Sequence, residues 1–122
     1  MSQSLVQQIV AAAIEAQRLL HGPSLLEVIY EFALCHELIL RRVKTQRQLA
    51  MPVLYKGASV REPLFLDILV DNQLTSEVKV TGKDYPLYQA QLSTYMRLTD
   101  IKSGLLINFG KTSIQDGIFA NA

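Results

Sequence analysis

Apolar residues recur through the first twenty positions at the spacing of a helix face. Leu5, Ile9, Ala12, Ala13, Ala16, Leu19 and Leu20 predict a helix over Ser4–Leu20 with one buried stripe. Gly22 and Pro23 stop it, because glycine takes the left-handed cap and proline cannot continue a helix. A second helix is expected from Ser24 to about Arg42, carrying Leu25, Leu26, Ile29, Phe32, Ala33 and Leu38. Two apolar helices joined by a short turn form an antiparallel pair that needs a sheet to cover.

After Lys44 the period changes. Gln46 to Leu54 reads as extended, and Tyr55-Lys56-Gly57-Ala58 supplies a turn. Leu64 to Val70 is a short apolar run rich in strand formers, closed by the turn residues Asp71-Asn72-Gln73. Leu74 to Thr81 alternates, with Leu74, Ser76, Val78 and Val80 on one face and Thr75, Glu77, Lys79 and Thr81 on the other. Pro86 suits a helix first turn, and Leu87 to Leu98 continues at helical spacing. Gly104 to Phe109 reads as a final buried strand ended by Gly110. The order α-α-β-β-β-α-β predicts an α/β fold, a mixed central sheet flanked by helices, with residues 1–122 as a single domain.

Composition changes this picture little. An apolar share of 49% and a charged share of 19% fit an ordinary globular chain rather than a disordered one. The apolar runs fall far short of the ~20 residues that cross a bilayer, so no membrane partner is expected. The first residues carry no basic region ahead of an apolar stretch, and the lone Cys35 has no partner for an internal disulfide; both fit a cytoplasmic location. Cys35 is expected as a small helix residue. A net charge of +1 neither demands nor excludes nucleic acid, and the basic group Arg41, Arg42, Lys44, Arg47 reads as a solvated helix end.

Asp67 alters the reading most. It lies inside an apolar strand, where an unpaired carboxylate costs several kcal/mol and needs a metal, a cation or strong donors. Glu77 and Lys79 stand two apart on the next strand and so project to one side. A hairpin at Asp71-Asn72 would bring Asp67 and Glu77 together. Two carboxylates and an ammonium suit phosphodiester hydrolysis. Hard Mg²⁺, with Mn²⁺ as a substitute, binds through one or two carboxylates and keeps several waters, while a lysine orients the attacking water. His21 and His36 lack partners at ligand spacing, so no softer metal is suggested.

Asp67, nine intervening residues, then Glu77-Val78-Lys79 resembles the D-xn-(D/E)-x-K signature of the PD-(D/E)XK nuclease superfamily. Gln91-Leu-Ser-Thr-Tyr95 resembles the QxxxY helix of its RecB-like branch. Gly22 to Tyr30, with Leu105 to Gly110, is similar to the small bacterial GxxExxY proteins. The resemblance implies a restriction-endonuclease-like core. It implies that Asp67 and Glu77 bind metal with the Val78 carbonyl, that Lys79 acts on water, and that Glu27, Gln91 and Tyr95 join the site. The partner so implied is nucleic acid, DNA ahead of RNA, cut by a Mg²⁺-dependent nuclease that can work as a homodimer. The alternative is a non-catalytic nucleic-acid-binding or dimerisation module of the same fold.

Two positions depart from the pattern: Leu66 stands where a proline often precedes the first Asp, and Ser24 where GxxExxY has glycine. Ser24-Leu-Leu-Glu27 also reads as a capping box, which would make Glu27 a helix cap.

Overall fold

The computed structural model describes residues 4–121. Helix α1 spans Leu5–Leu19 and α2 spans Glu27–Leu40. Strands β1 (Thr45–Tyr55), β2 (Ala58–Val70) and β3 (Leu74–Lys79) form a meander. Helix α3 (Pro86–Thr99) crosses over to β4 (Ser103–Asn108); a 3-10 turn at Ile114–Gly117 then leads into β5 (Ile118–Asn121). The sheet order is β1-β2-β3-β4-β5, antiparallel except for the β3–β4 pair, which the α3 crossover makes parallel. The order α-α-β-β-β-α-β and the restriction-endonuclease-like mixed sheet stand as read from the sequence, with β5 added beyond the strand expected to be last.

The main core lies between the two N-terminal helices and one sheet face. Ile9, Ala12, Ala13 and Ala16 of α1 and Tyr30, Leu34, Cys35 and Leu38 of α2 pack on Ile68, Val70, Leu74, Val78, Leu105 and Ile107. A smaller cluster, Met51, Leu66 and Leu69 with Tyr95, Leu98 and Ile101, lies on the α3 face. Among the described residues no helix is long and apolar enough to cross a membrane.

Three local expectations are corrected. The capping box predicted at Ser24–Glu27 is absent: α2 begins at Glu27 behind Leu26, which has no side chain to cap it. The box forms instead on α1, where Gln7 N–H donates to Ser4 Oγ at 3.1 Å and Ser4 N–H donates to Gln7 Oε1 at 3.0 Å. Strand β2 starts at Ala58, not Leu64, because polar residues and Pro63 are tolerated where it pairs with β1 alone. From Met51 to Leu64 the two strands therefore leave the sheet as a two-stranded ribbon, turning at Lys56-Gly57, both with positive φ. Arg47 is not a solvated helix end; it sits in β1 and pairs with Glu31 of α2 at 2.9 Å.

Candidate active site

Strands β2 and β3 pair only from Val70↔Leu74 to Ile68↔Ser76 and then part. Asp67 lies where they separate, and its carboxylate fills the place of a ladder partner: Val78 N–H donates to Asp67 Oδ2 at 2.9 Å. A carboxylate accepting a backbone amide is held in one orientation by a charge-assisted bond. The gap between the strands opens into a cleft of about 370 Å³ lined by Glu27, Glu31, Arg47, Gln48, Asp67, Glu77, Lys79, Gln91 and Tyr95, with Val28. The six side chains singled out in the sequence, Asp67, Glu77, Lys79, Glu27, Gln91 and Tyr95, thus meet at one place.

Each element contributes for a local reason. Glu77 and Lys79 lie two apart on β3, which pairs with β4 as far as Lys79↔Asn108, so both face the cleft. Gln91 and Tyr95 are one turn apart on α3 and share its inner face. Glu27 opens α2 and Glu31 follows one turn later.

The electrostatics are those of crowded acids. Glu77 is only 3% exposed. Burial, then the hydrogen bond and charge of Asp67, push it up to about 10, against the pull of Lys79. Glu31, 5% exposed, is raised by burial and by Asp67, with Arg47 opposing. Glu27 at the rim is raised by desolvation, with Lys79 lowering it and Asp67 raising it. Burial and the Glu77 and Asp67 charges raise Tyr95. Lys79 Nζ sits 4.8 Å from the centroid of the Tyr88 ring. Among the described residues neither Lys79 nor Asp67 belongs to an ion pair within 4.0 Å; the Asp67 carboxylate is met by the Val78 amide and the Gln48 carboxamide instead. Gln91 Oε1 is buried with no hydrogen-bond partner.

Sequence reasoning did not include Glu31, Arg47 or Gln48 in the site. Glu31 accepts from Arg47 Nε and from Gln48 Nε2, both at 2.9 Å, and Gln48 Nε2 also donates to Asp67 Oδ1 at 3.2 Å. Arg47 is stacked 3.8 Å from the centroid of Phe32. The available signal was the Glu27–Glu31 spacing, which puts two acids on one face of a largely apolar helix.

Tyr30, three residues beyond Glu27 on α2, does not enter the cleft. It is fully buried, stacked on Phe109 at 4.7 Å, and its hydroxyl donates to Gly22 O and accepts from Leu25 N–H. His21 and His36 are exposed, and Cys35 is buried in α2, the helix where it was expected.

No curated protein and no solved structure matches the chain. The sequence profile described as the PD-(D/E)XK nuclease superfamily matches residues 3–119, nearly the whole chain. With that match joined to a mixed sheet whose parting strands gather Asp67, Glu77 and Lys79, the chain belongs to the PD-(D/E)XK nuclease superfamily.

Proposed function

We propose that this protein is a divalent-metal-dependent nuclease hydrolysing phosphodiester bonds, with DNA the first substrate and RNA the second. The observation that carries the reading is the Asp67–Val78 hydrogen bond, which sets one carboxylate across the strand gap beside Glu77 and Lys79.

The donors suit a hard cation. Asp67 and Glu77 are neighbouring carboxylates, one of them deeply buried, and such a pair is strained until a positive charge is shared between them. The orphaned Gln91 Oε1 supplies an acceptor for ordered water beside them. Among the described residues no group of three or more His, Cys, Asp or Glu side chains converges on one point. Mg²⁺ and Mn²⁺ bind through one or two carboxylates, the number that Asp67 and Glu77 supply. Asp67, Glu77 and the Val78 carbonyl would hold it. A bound divalent cation supplies Lewis acidity, neutralising charge on the phosphoryl oxygens and easing ionisation of water.

The chain's own groups do the rest. Lys79 Nζ, on the same side of β3 as Glu77, orients the attacking water and donates to a phosphoryl oxygen as negative charge develops. Tyr95 and Gln91 line the α3 wall, where hydroxyl and carboxamide N–H groups donate to the phosphate, and Glu27 lines the α2 rim. The water oxygen bonds to phosphorus, the P–O ester bond breaks, and the proton passes to the leaving alkoxide through solvent.

The test is cleavage of linear and circular DNA, and of RNA, with and without Mg²⁺ or Mn²⁺. Asp67→Ala and Lys79→Ala should each lower cleavage at least about 100-fold while keeping the parent's melting temperature within a few degrees, general acid–base and electrostatic groups being worth roughly that much. If both variants cut as fast as the parent, the roles are misassigned. A parent that binds nucleic acid and cuts none would be the non-catalytic module of the same fold.

A further inference from the structure

Gln48 is the least expected residue in the cleft. It sits in mid-strand with φ of 51°, a left-handed backbone that a residue with a long side chain rarely adopts. Its neighbours pair regularly, Arg47↔Ile68 on one side and Leu49↔Leu66 on the other, yet Gln48 and Asp67 between them are not paired in the ladder. The faces also exchange at this row. In a regular strand Arg47 and Leu49 would point the same way, as would Leu66 and Ile68. Here Arg47 reaches Glu31 of α2 while Leu49 packs with the cluster on the α3 face. Leu66 belongs to that α3-face cluster and Ile68 to the core under α1 and α2. Both strands twist over at the same level, and the two side chains of that level, Gln48 and Asp67, turn into the cleft.

We infer that Gln48 is a positioning residue for Asp67: its backbone twist aims one carboxamide at Asp67 Oδ1 and Glu31 Oε1 together, so that Asp67 is clamped between Gln48 and the Val78 amide. This rests on the proposed reading for its consequence, cation binding, though not for the clamp. The carboxylate has its two oxygens held from opposite sides, Oδ1 by Gln48 Nε2 at 3.2 Å and Oδ2 by Val78 N–H at 2.9 Å. The same Nε2 holds Glu31 at 2.9 Å, and Arg47 takes the other Glu31 oxygen. Gln48 thereby ties two neighbouring acids to one neutral donor, while Arg47 draws on the far oxygen of Glu31. A left-handed residue at a site, retained where an ordinary strand residue would relieve the backbone, is the mark of a position kept for geometry.

The experiment uses the full chain and two variants. Gln48→Gly accepts the left-handed backbone freely and removes the carboxamide. Gln48→Asn tolerates that backbone better than most residues and leaves its amide one methylene short. The reporter is the Val78 amide resonance in a ¹⁵N–¹H correlation spectrum, which a charge-assisted bond to Asp67 displaces. In both variants it should move most of the way towards its position in Asp67→Ala, while resonances of the core strands stay in place. A fold-only role for Gln48 would leave it unmoved, and a Val78 resonance at the parent's position in both variants overturns the proposal. Mn²⁺ binding by calorimetry should weaken about 10- to 100-fold in both, as is usual when a group orienting a metal ligand is lost. If the parent takes up no Mn²⁺ and Val78 still moves in Gln48→Gly, the cation reading falls and the clamp stands.

Discussion

Tyr30 links the α1–α2 connection at two points, through the carbonyl of Gly22 and the amide of Leu25, while its ring is stacked on Phe109 at the end of β4. Removing the hydroxyl strands both backbone groups without opening a cavity. Tyr30→Phe should therefore cost about 1–2 kcal/mol, read from the urea midpoint with an unchanged slope. An unaltered midpoint would mean that water replaces the hydroxyl at no loss. The same residue explains why sequence reading erred nearby. Ser24 and Glu27 have capping-box spacing, but the loop before α2 is pinned by a tyrosine from inside the helix, so the helix starts three residues later and leaves Glu27 free to face the cleft. Asp67 was legible because a lone acid in an apolar strand demands an explanation. Gln48 was not, since nothing in its type announces a left-handed backbone.

At the level of elements, the parallel β3–β4 pair outlasts its own backbone ladder. Beyond Lys79↔Asn108 the Asn108 side chain continues the pairing: its Oδ1 accepts from Thr81 N–H at 3.0 Å and Gly110 N–H at 2.8 Å, and its Nδ2 donates to Thr81 O at 3.0 Å. Gly110 lies so close that an added Cβ would stand 2.4 Å from the Thr81 backbone. This cinch fixes the end of β3 that carries Lys79. Asn108→Ala strands three backbone groups at a residue 3% exposed and should cost about 2–4 kcal/mol in urea unfolding. A loss below about 1 kcal/mol would show that the ladder alone holds the strand end. The hairpins were legible from Lys56-Gly57 and Asp71-Asn72, which take the positive φ that their turns require. β5 was not, being four residues behind a 3-10 turn with no alternation to mark it. The ribbon half of β2 was hidden because an exposed two-stranded arm has no buried face to impose a pattern.

On the scale of the whole molecule, a chain of net charge +1 concentrates Glu27, Glu31, Asp67 and Glu77 in one cleft, where Lys79 and Arg47 also point. Folding has to overcome that crowding. In metal-free buffer Glu77→Gln should raise the melting temperature by roughly 3–6 °C, the change that about 1 kcal/mol produces in a chain of this size. The upward shift that Mg²⁺ or Mn²⁺ gives the parent should disappear in the same variant. Equal melting temperatures without metal would remove the crowding from the account. The overall α/β order was readable because helices and strands announce themselves by period, whereas the acids contributed by α2 became a group only once α2 was laid beside the parting strands.

The cleft draws its walls from five elements, beginning with Glu27 on α2 and ending with Tyr95 on α3, and β3 gains its second neighbour only when β4 is in place. Synthesis runs in that same direction. On the proposed reading, a chain still emerging from the ribosome carries scattered acids, and its cutting site takes shape only after β4 has joined β3.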